Sequence, residues 1–191
     1  MANELTYGSQ IHLQSGPNGE GGYLDVCNPA TGPGSRYQAM TNDSPTRDKG
    51  TGTWEIVSAD GKTAGSPVVS GDRVHLRNMT GGDGGYLDVS GYADASQKTV
   101  GGRFDVSTAD SKNRDNGSGT WQVFARTSNP ADGNVRIGDL VLLWNTFGNN
   151  GGFLEINGRS SVSIAKFDLC TNSYYNRSGD VADWRIVASQ A

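Results

Sequence analysis

Three short segments of the chain pair an aromatic residue with a carboxylate two positions further on. The pairs are Tyr23 with Asp25, Tyr86 with Asp88, and Phe153 with Glu155. Residues two apart on a β-strand point to the same face of the sheet. A carboxylate can accept hydrogen bonds from neighbouring sugar hydroxyls, while an aromatic ring covers the apolar face of the sugar. The pattern therefore predicts carbohydrate binding on one face of each segment.

Three arginines occupy one equivalent position, ahead of a tryptophan in each segment: Arg47, Arg114 and Arg177. Guanidinium groups are strong donors, so these residues are candidates to bind sugar hydroxyls or an acidic sugar. They could equally form three ion pairs that hold a loop on the fold, Asp25–Arg47, Asp88–Arg114 and Glu155–Arg177. The sequence leaves both interpretations open. The two are compatible, because a paired arginine is also held in position for a ligand.

The predicted carbohydrate-binding residues come from all three segments and from one loop. Tyr92, which follows the second segment, offers an additional stacking surface. The third segment has Phe153 and Glu155 where the others have Tyr and Asp, so we expect two competent sites and a third that is weak or lost. The full set is Tyr23, Asp25, Arg47, Tyr86, Asp88, Tyr92, Arg114, Glu155 and Arg177.

These residues recur because the chain repeats itself. Gly-Tyr-Leu-Asp-Val at 22–26 returns at 85–89, and as Gly-Phe-Leu-Glu-Ile at 152–156. Tyr23, Tyr86 and Phe153 are thus separated by 63 and 67 residues. A long period that covers almost the whole chain indicates a repeat architecture. We place the repeats at roughly 8–70, 71–137 and 138–191, within one domain that spans 1–191.

Each repeat reads as four β-strands. In the first repeat, alternating apolar residues predict strands at Ser9–Ser15, Tyr23–Asn28, Arg36–Asn42 and Thr53–Ala59. Three such units give about twelve strands and predict an all-β fold, a β-trefoil, in which six strands close a barrel and three hairpins cap it. A three-bladed propeller is the alternative, but propellers typically have 4–8 blades. We expect the core to be formed by Leu13, Leu24, Val26, Trp54 and Ile56, with their counterparts in the other repeats.

The Gly-rich turn, the Tyr-Leu pair and the tryptophan on the fourth strand resemble ricin-B-like lectins and fascin-like β-trefoil domains. The resemblance covers essentially the whole chain. It implies that Asp25, Asp88 and Glu155 bind sugar hydroxyls. The Gln-x-Trp motif of the lectins is incomplete, because Gly52, Gly119 and Ala182 stand where the glutamine would be. Their aromatic platform on the third strand corresponds to Met40, Ser107 and Cys170.

Composition and motifs argue against several other functions. The net charge of −4 offers no basic face for nucleic acid, and no apolar run is long enough for a membrane span. No nucleophile motif or metal-ligand spacing is present, so we expect no enzymatic activity, no metal and no cofactor. Cys27 and Cys170 sit at non-equivalent positions, which favours free thiols in a reducing compartment. No secretion signal is recognisable, so we expect the cytoplasm, or secretion without a conventional signal peptide.

The sequence therefore predicts a non-enzymatic lectin with two or three related sites and glycans or glycoproteins as partners. The alternatives are a fascin-like module that binds a protein such as actin, or the targeting component of a toxin. Leu142, Trp144 and Phe153 replace polar residues of the other repeats. An exposed apolar patch of this kind typically marks an interface, so we expect a homodimer there, with local loop packing and a ligand platform as alternatives.

Overall fold

The computed structural model describes residues 3–16, 18–127 and 129–189, and it is an all-β structure in these ranges. Each strand of the first repeat lies within one residue of its predicted bounds. One short helix, α1 (Ala95–Lys98), and two 3₁₀ turns, Thr80–Gly82 and Phe147–Asn149, accompany the strands. The strands are β1 (Gln10–Ser15), β2 (Gly22–Pro29), β3 (Ser35–Asn42), β4 (Trp54–Ser58), β5 (Arg73–Asn78), β6 (Tyr86–Tyr92), β7 (Gly102–Ala109), β8 (Trp121–Ala125), β9 (Leu140–Asn145), β10 (Gly152–Arg159), β11 (Phe167–Asn172) and β12 (Trp184–Ala188).

The strands belong to one antiparallel sheet that closes on itself. Its hydrogen bonds run through β11-β3-β2-β1-β12-β9-β8-β5-β6-β7 and return to β11, which makes a barrel of ten strands. The two extra strands are β4, paired with β1 and β5, and β10, paired with β11 and β9. The predicted β-trefoil is therefore wrong. The physical reason is that β3, β7 and β11 pair with one another, so their hairpins belong to the closed sheet and are not separate caps.

The internal repeat is visible in the side-chain contacts of the core. Trp54, Trp121 and Trp184 are fully buried. Their indole Nε1 atoms donate hydrogen bonds to the carbonyl oxygens of Leu24, Leu87 and Leu154, over 2.9, 2.8 and 3.1 Å. A buried indole N–H needs such an acceptor. The predicted core residues Leu13, Leu24, Val26, Trp54 and Ile56 are all buried, as the alternation along the strands requires.

The glycine ahead of each Tyr-Leu or Phe-Leu pair is fixed by close backbone packing. Gly22, Gly85 and Gly152 have φ angles of +83°, +86° and +98°. A Cβ atom there would lie 2.6–2.7 Å from a carbonyl oxygen on the neighbouring strand. Only glycine tolerates both the positive φ and this approach. The recurring glycine is therefore explained by the pairing of strands β2, β6 and β10, without reference to a ligand.

Truncation of a core tryptophan tests this arrangement. Trp121→Ala should lower the free energy of unfolding by roughly 3–5 kcal/mol, because it opens a cavity and leaves the Leu87 carbonyl without its donor. Chemical denaturation monitored by circular dichroism measures this change. Tyr174→Ala is the matched control, since this aromatic side chain is exposed. Equal stabilities for the two variants would contradict the proposed packing.

Candidate functional site

The three repeated carboxylates are buried and paired with the three repeated arginines. Asp25, Asp88 and Glu155 have essentially no exposed surface. Arg47 Nη2 lies 2.6 Å from Asp25 Oδ1, and Arg114 Nη2 lies 2.6 Å from Asp88 Oδ1. In the third repeat, Arg177 Nε lies 3.0 Å from Glu155 Oε1. The three predicted ion pairs are therefore present, and in each repeat the arginine anchors its loop to the second strand.

Further side chains occupy the remaining acceptor positions of these carboxylates. Thr51 Oγ1 donates to Asp25 over 2.9 Å, and Ser118 Oγ donates to Asp88 over 2.6 Å. Val181 stands at the equivalent position of the third repeat, and there Glu155 Oε1 accepts instead from Asn157 and Asn172, over 2.8 and 3.0 Å. Burial raises the pKa of all three carboxyls, although the arginines and hydrogen bonds oppose this shift.

The tyrosines of the predicted pairs lie apart from this network. Tyr23 and Tyr86 are half-buried and pack edge-on against His12 and His75, each with ring centroids 6.2 Å apart. The structure thus brings the predicted carboxylates to the arginines and buries them, so neither Asp25 nor Asp88 is exposed beside its tyrosine. Of the nine predicted residues, Tyr92 alone combines high exposure with a position in the wall of a large cavity.

A polar concavity lies where β3, β7 and β11 meet. Its volume is about 420 Å³. Gln38 pairs with Ser107, Asp105 with Cys170, and Asp168 with Met40, so the middles of the three strands converge there. The loop after β2, the end of β6, α1 and the 161–162 loop complete the walls. We call this space the central cavity.

Three equivalent positions of the repeat face the central cavity. Gln38, Asp105 and Asp168 each follow the aromatic residue that marks the third strand. The Asp105 side chain is open to the cavity but surrounded by protein, and this desolvation raises the pKa of its carboxyl to about 6. The negative charges of Asp168 and Asp94 raise the pKa further, while a hydrogen bond from the Val106 N–H lowers it.

A chain of hydroxyl groups crosses one wall of the central cavity. Ser107 Oγ donates to Ser35 Oγ over 3.1 Å, and Ser35 Oγ donates to Ser90 Oγ over 3.0 Å. The chain leaves the Ser90 hydroxyl able to donate into the cavity. Gly32 permits this arrangement, because a Cβ atom there would lie 2.7 Å from Ser90 Oγ. The wall therefore presents donors as well as acceptors.

Tyr92 stands at the mouth of the central cavity and is 76% exposed. Its ring stacks on Phe104, with centroids 5.8 Å apart and planes 20° apart. The adjoining helix α1 is held in place by Gln97, whose buried amide donates to the carbonyls of Asn157 and Leu169. Phe104 thus supports one face of the tyrosine ring, and Lys98 Nζ lies 5.1 Å from the ring centroid, but most of the side chain remains exposed.

Sequence reasoning missed Gln38, Asp105, Asp168 and Ser90 as site residues. The first three carry a detectable signal, because they directly follow Tyr37, Phe104 and Phe167, which are equivalent landmarks of the repeat. Their convergence, however, depends on pairing between third strands of different repeats. That pairing is not encoded in the spacing within any one repeat.

The predicted interface residues form part of an aromatic cluster on the surface. Leu142, Trp144 and Phe153 are half-buried. Trp144 packs edge-on against Phe153 at 4.7 Å, and Phe153 packs against Tyr175 at 5.6 Å between ring centroids. Local packing therefore covers part of the patch that the alternation predicted to be exposed.

The described residues contain no group of three side chains suited to hold a metal ion. Cys27 is half-buried and Cys170 is buried, and neither is in a disulfide. Within ranges 3–16, 18–127 and 129–189, no helix has the length and apolar character needed to cross a membrane.

Several solved structures share this fold. A protein of unknown function from Caenorhabditis elegans superposes with a TM-score of 0.74 at 15% identity, covering 98% of this chain and 97% of that one. The SDF2-like protein of Arabidopsis thaliana gives 0.72 at 18% identity, covering 96% and 94%. The S. cerevisiae protein O-mannosyltransferase Pmt1-Pmt2 complex bound to the sugar donor gives 0.69 at 17% identity, covering 97% of this chain and 26% of that chain.

These similarities correct the resemblance drawn from the sequence. The likeness is to SDF2-like and mannosyltransferase-associated barrels, so the chain is not assigned to the ricin-B-like lectins or to the fascin-like domains. No protein-family model matches the chain, and no curated protein matches it. At identities of 15–18%, the similarities show the fold alone.

The ion-pair geometry predicts that the repeated carboxylates stabilise the fold. Asp88→Asn should reduce the free energy of unfolding by about 1–3 kcal/mol, because Arg114 loses its charged partner inside the structure. Asp115→Asn is the control, since Asp115 is exposed and forms no side-chain ion pair among the described residues. Thermal melting of both variants measures the difference. Unchanged melting of Asp88→Asn, as expected for a carboxylate that serves only a ligand, would contradict a structural role.

Proposed function

We propose that this protein binds carbohydrate in the central cavity and has no catalytic activity. The observation that carries the proposal is the exposed Tyr92 ring at the edge of a polar cavity of about 420 Å³. Ligand pockets typically have volumes of about 300–1,000 Å³. A cavity of this size accommodates one or two sugar rings.

The lining supplies the hydrogen-bonding groups that a sugar needs. Asp105 and Asp168 provide carboxylate acceptors, Gln38 provides an amide with both donor and acceptor atoms, and Ser90 provides a hydroxyl. Tyr92 supplies the flat apolar surface. The cavity walls are polar, and a purely apolar ligand would leave these groups unpaired at a cost in free energy. Hydroxyl-rich ligands match the lining better.

One of the structural comparisons is consistent with a role that involves glycans. The yeast mannosyltransferase complex that contains a domain of this shape was solved with its sugar donor. That fact concerns the yeast complex, and the argument for this chain rests on its own cavity. Actin binding and toxin targeting stay as alternatives from the sequence, but no contact in the described structure favours either one.

Truncation of Tyr92 tests the site. Tyr92→Ala should weaken binding of the best monosaccharide from a glycan array about tenfold, because the ring loses its stacking contact. Isothermal titration calorimetry measures the dissociation constant. Tyr174→Ala, also an exposed tyrosine, should bind like the wild type. Equal binding by both variants and the wild type would place the site elsewhere.

Stoichiometry separates the central cavity from the repeated sites that the sequence suggests. The cavity lies where the three repeats meet, so calorimetry should give one sugar per chain. Two or three sugars per chain would instead favour the surfaces around Tyr23, Tyr86 and Phe153.

Glycans or glycoproteins are the partners that this proposal implies. A homodimer through Leu142, Trp144 and Phe153 is a separate proposal about partners. If it forms, Trp144→Gln should shift sedimentation of the protein from dimer to monomer, because an apolar contact is lost. A monomeric wild type at high concentration would rule it out.

We also propose a reducing compartment such as the cytoplasm, since free thiols are typical there.

A further inference from the structure

The central cavity has an unbalanced charge. Its lining includes three aspartates, Asp94, Asp105 and Asp168, and no lysine, arginine or histidine among the described residues. The three lie on different elements: Asp94 at the start of α1, Asp105 on β7 and Asp168 on β11. The negative charge is therefore distributed around a space large enough for a ligand.

These aspartates differ from most acidic side chains of the protein. Elsewhere, acids are commonly matched by a base, as in Lys62–Asp72, Arg73–Asp60 and Lys166–Asp43. Asp105 and Asp168 form no ion pair in the part of the chain that the structure describes. Asp94 accepts hydrogen bonds from Ser96 and from the Gln97 N–H but also forms no ion pair there. Like charges in a partly desolvated space repel one another, and a cation between them relieves the repulsion.

The mouth of the cavity already accommodates an ammonium group. Lys98 Nζ lies 5.1 Å from the centroid of the Tyr92 ring. The Tyr92 ring therefore already has a cationic partner within the protein. Lys98 is not part of the cavity lining, so the interior remains without a cation of its own.

We infer that the sugar recognised in the central cavity carries a protonated amine, as a hexosamine does. The inference rests on the proposed carbohydrate function and names the ligand class for the same site. The amine lies against Asp105 and Asp168, which form no ion pair with any residue that the structure describes. The sugar hydroxyls bond to Gln38 and Ser90, and the ring covers Tyr92.

Calorimetry with matched ligands near neutral pH tests the inference. The ligands are a hexosamine, the N-acetylated hexosamine, the parent hexose, and choline as a permanent cation without a sugar ring. The hexosamine should bind at least about tenfold more tightly than either neutral sugar, because a new charge contact of this kind is worth about a factor of ten. Equal binding of the three sugars would overturn the inference and leave the carbohydrate proposal intact.

The choline measurement distinguishes the carbohydrate proposal from the inference that the ligand carries a positive charge. Binding of choline together with no binding of any sugar would support a cation site and overturn the carbohydrate proposal. Absence of binding by all four ligands would overturn both.

An amide substitution assigns the effect to the cavity. Asp168→Asn keeps the shape of the side chain and removes its charge, so hexosamine binding should weaken about tenfold, a larger loss than that of hexose binding, which involves no charged ligand group. Asp115→Asn is the control, because Asp115 is an exposed acid outside the cavity. A similar loss in both variants would show a general effect of net charge and would overturn the inference.

The pH dependence provides an independent readout. The pKa of Asp105 is raised to about 6, by burial and by Asp168 and Asp94, while Lys98 lies beyond Tyr92. Asp105 is therefore ionised above this pH and neutral below it. Hexosamine binding should weaken about tenfold as the pH falls from neutral to about one unit below that pKa. Lower pH only increases protonation of the amine, so the loss must arise in the protein. Binding that strengthens over this range would contradict the inference.

Discussion

The hydrogen bond from a buried tryptophan to a leucine carbonyl is the interaction on which the rest of this structure depends. It occurs three times, between Trp54 and Leu24, Trp121 and Leu87, and Trp184 and Leu154. Each bond fixes the last strand of a repeat against the second strand and places a large ring in the core. In a chain with only 34% hydrophobic residues, these three rings are the largest fully buried side chains.

This packing between the fourth and second strands determines which repeated residues are structural and which remain free to bind a ligand. Once the second strand is fixed, its carboxylate is enclosed and needs the arginine and hydroxyl that surround it. The repeated acids are thus committed to the fold. Asp105 and Asp168, at the centre, form no comparable ion pair with the described residues. The repeat brings three equivalent positions together there, and aspartate at two of them, together with Asp94 of the α1 segment, gives the cavity its charge.

Local features could be predicted from the sequence, whereas the closure of the sheet and the site could not. The alternation around Leu13, Leu24 and Trp54 correctly identified strands and core, because inward residues must be apolar. The trefoil prediction failed because pairing among β3, β7 and β11 involves residues about 65 to 130 positions apart, which no local pattern reports. Asp25 and Asp88 were predicted to contact a ligand because the same motif fits an exposed sugar-binding carboxylate and a buried ion pair. The motif alone does not show whether the side chain is buried. Tyr92 was predicted as a stacking surface from its position after the second segment, whereas the cavity beside it was not predicted.

We propose that ligand binds among the converging third strands and not at the repeated Tyr-Leu-Asp segments. A titration of ¹⁵N-labelled protein with a hexosamine, followed by two-dimensional NMR, distinguishes the two locations. The amide signals of Ser90, Tyr92, Asp105 and Asp168 should shift together and saturate at one ligand per chain. Shifts centred on Tyr23 and Tyr86, with the signals of Asp105 and Asp168 unchanged, would contradict it.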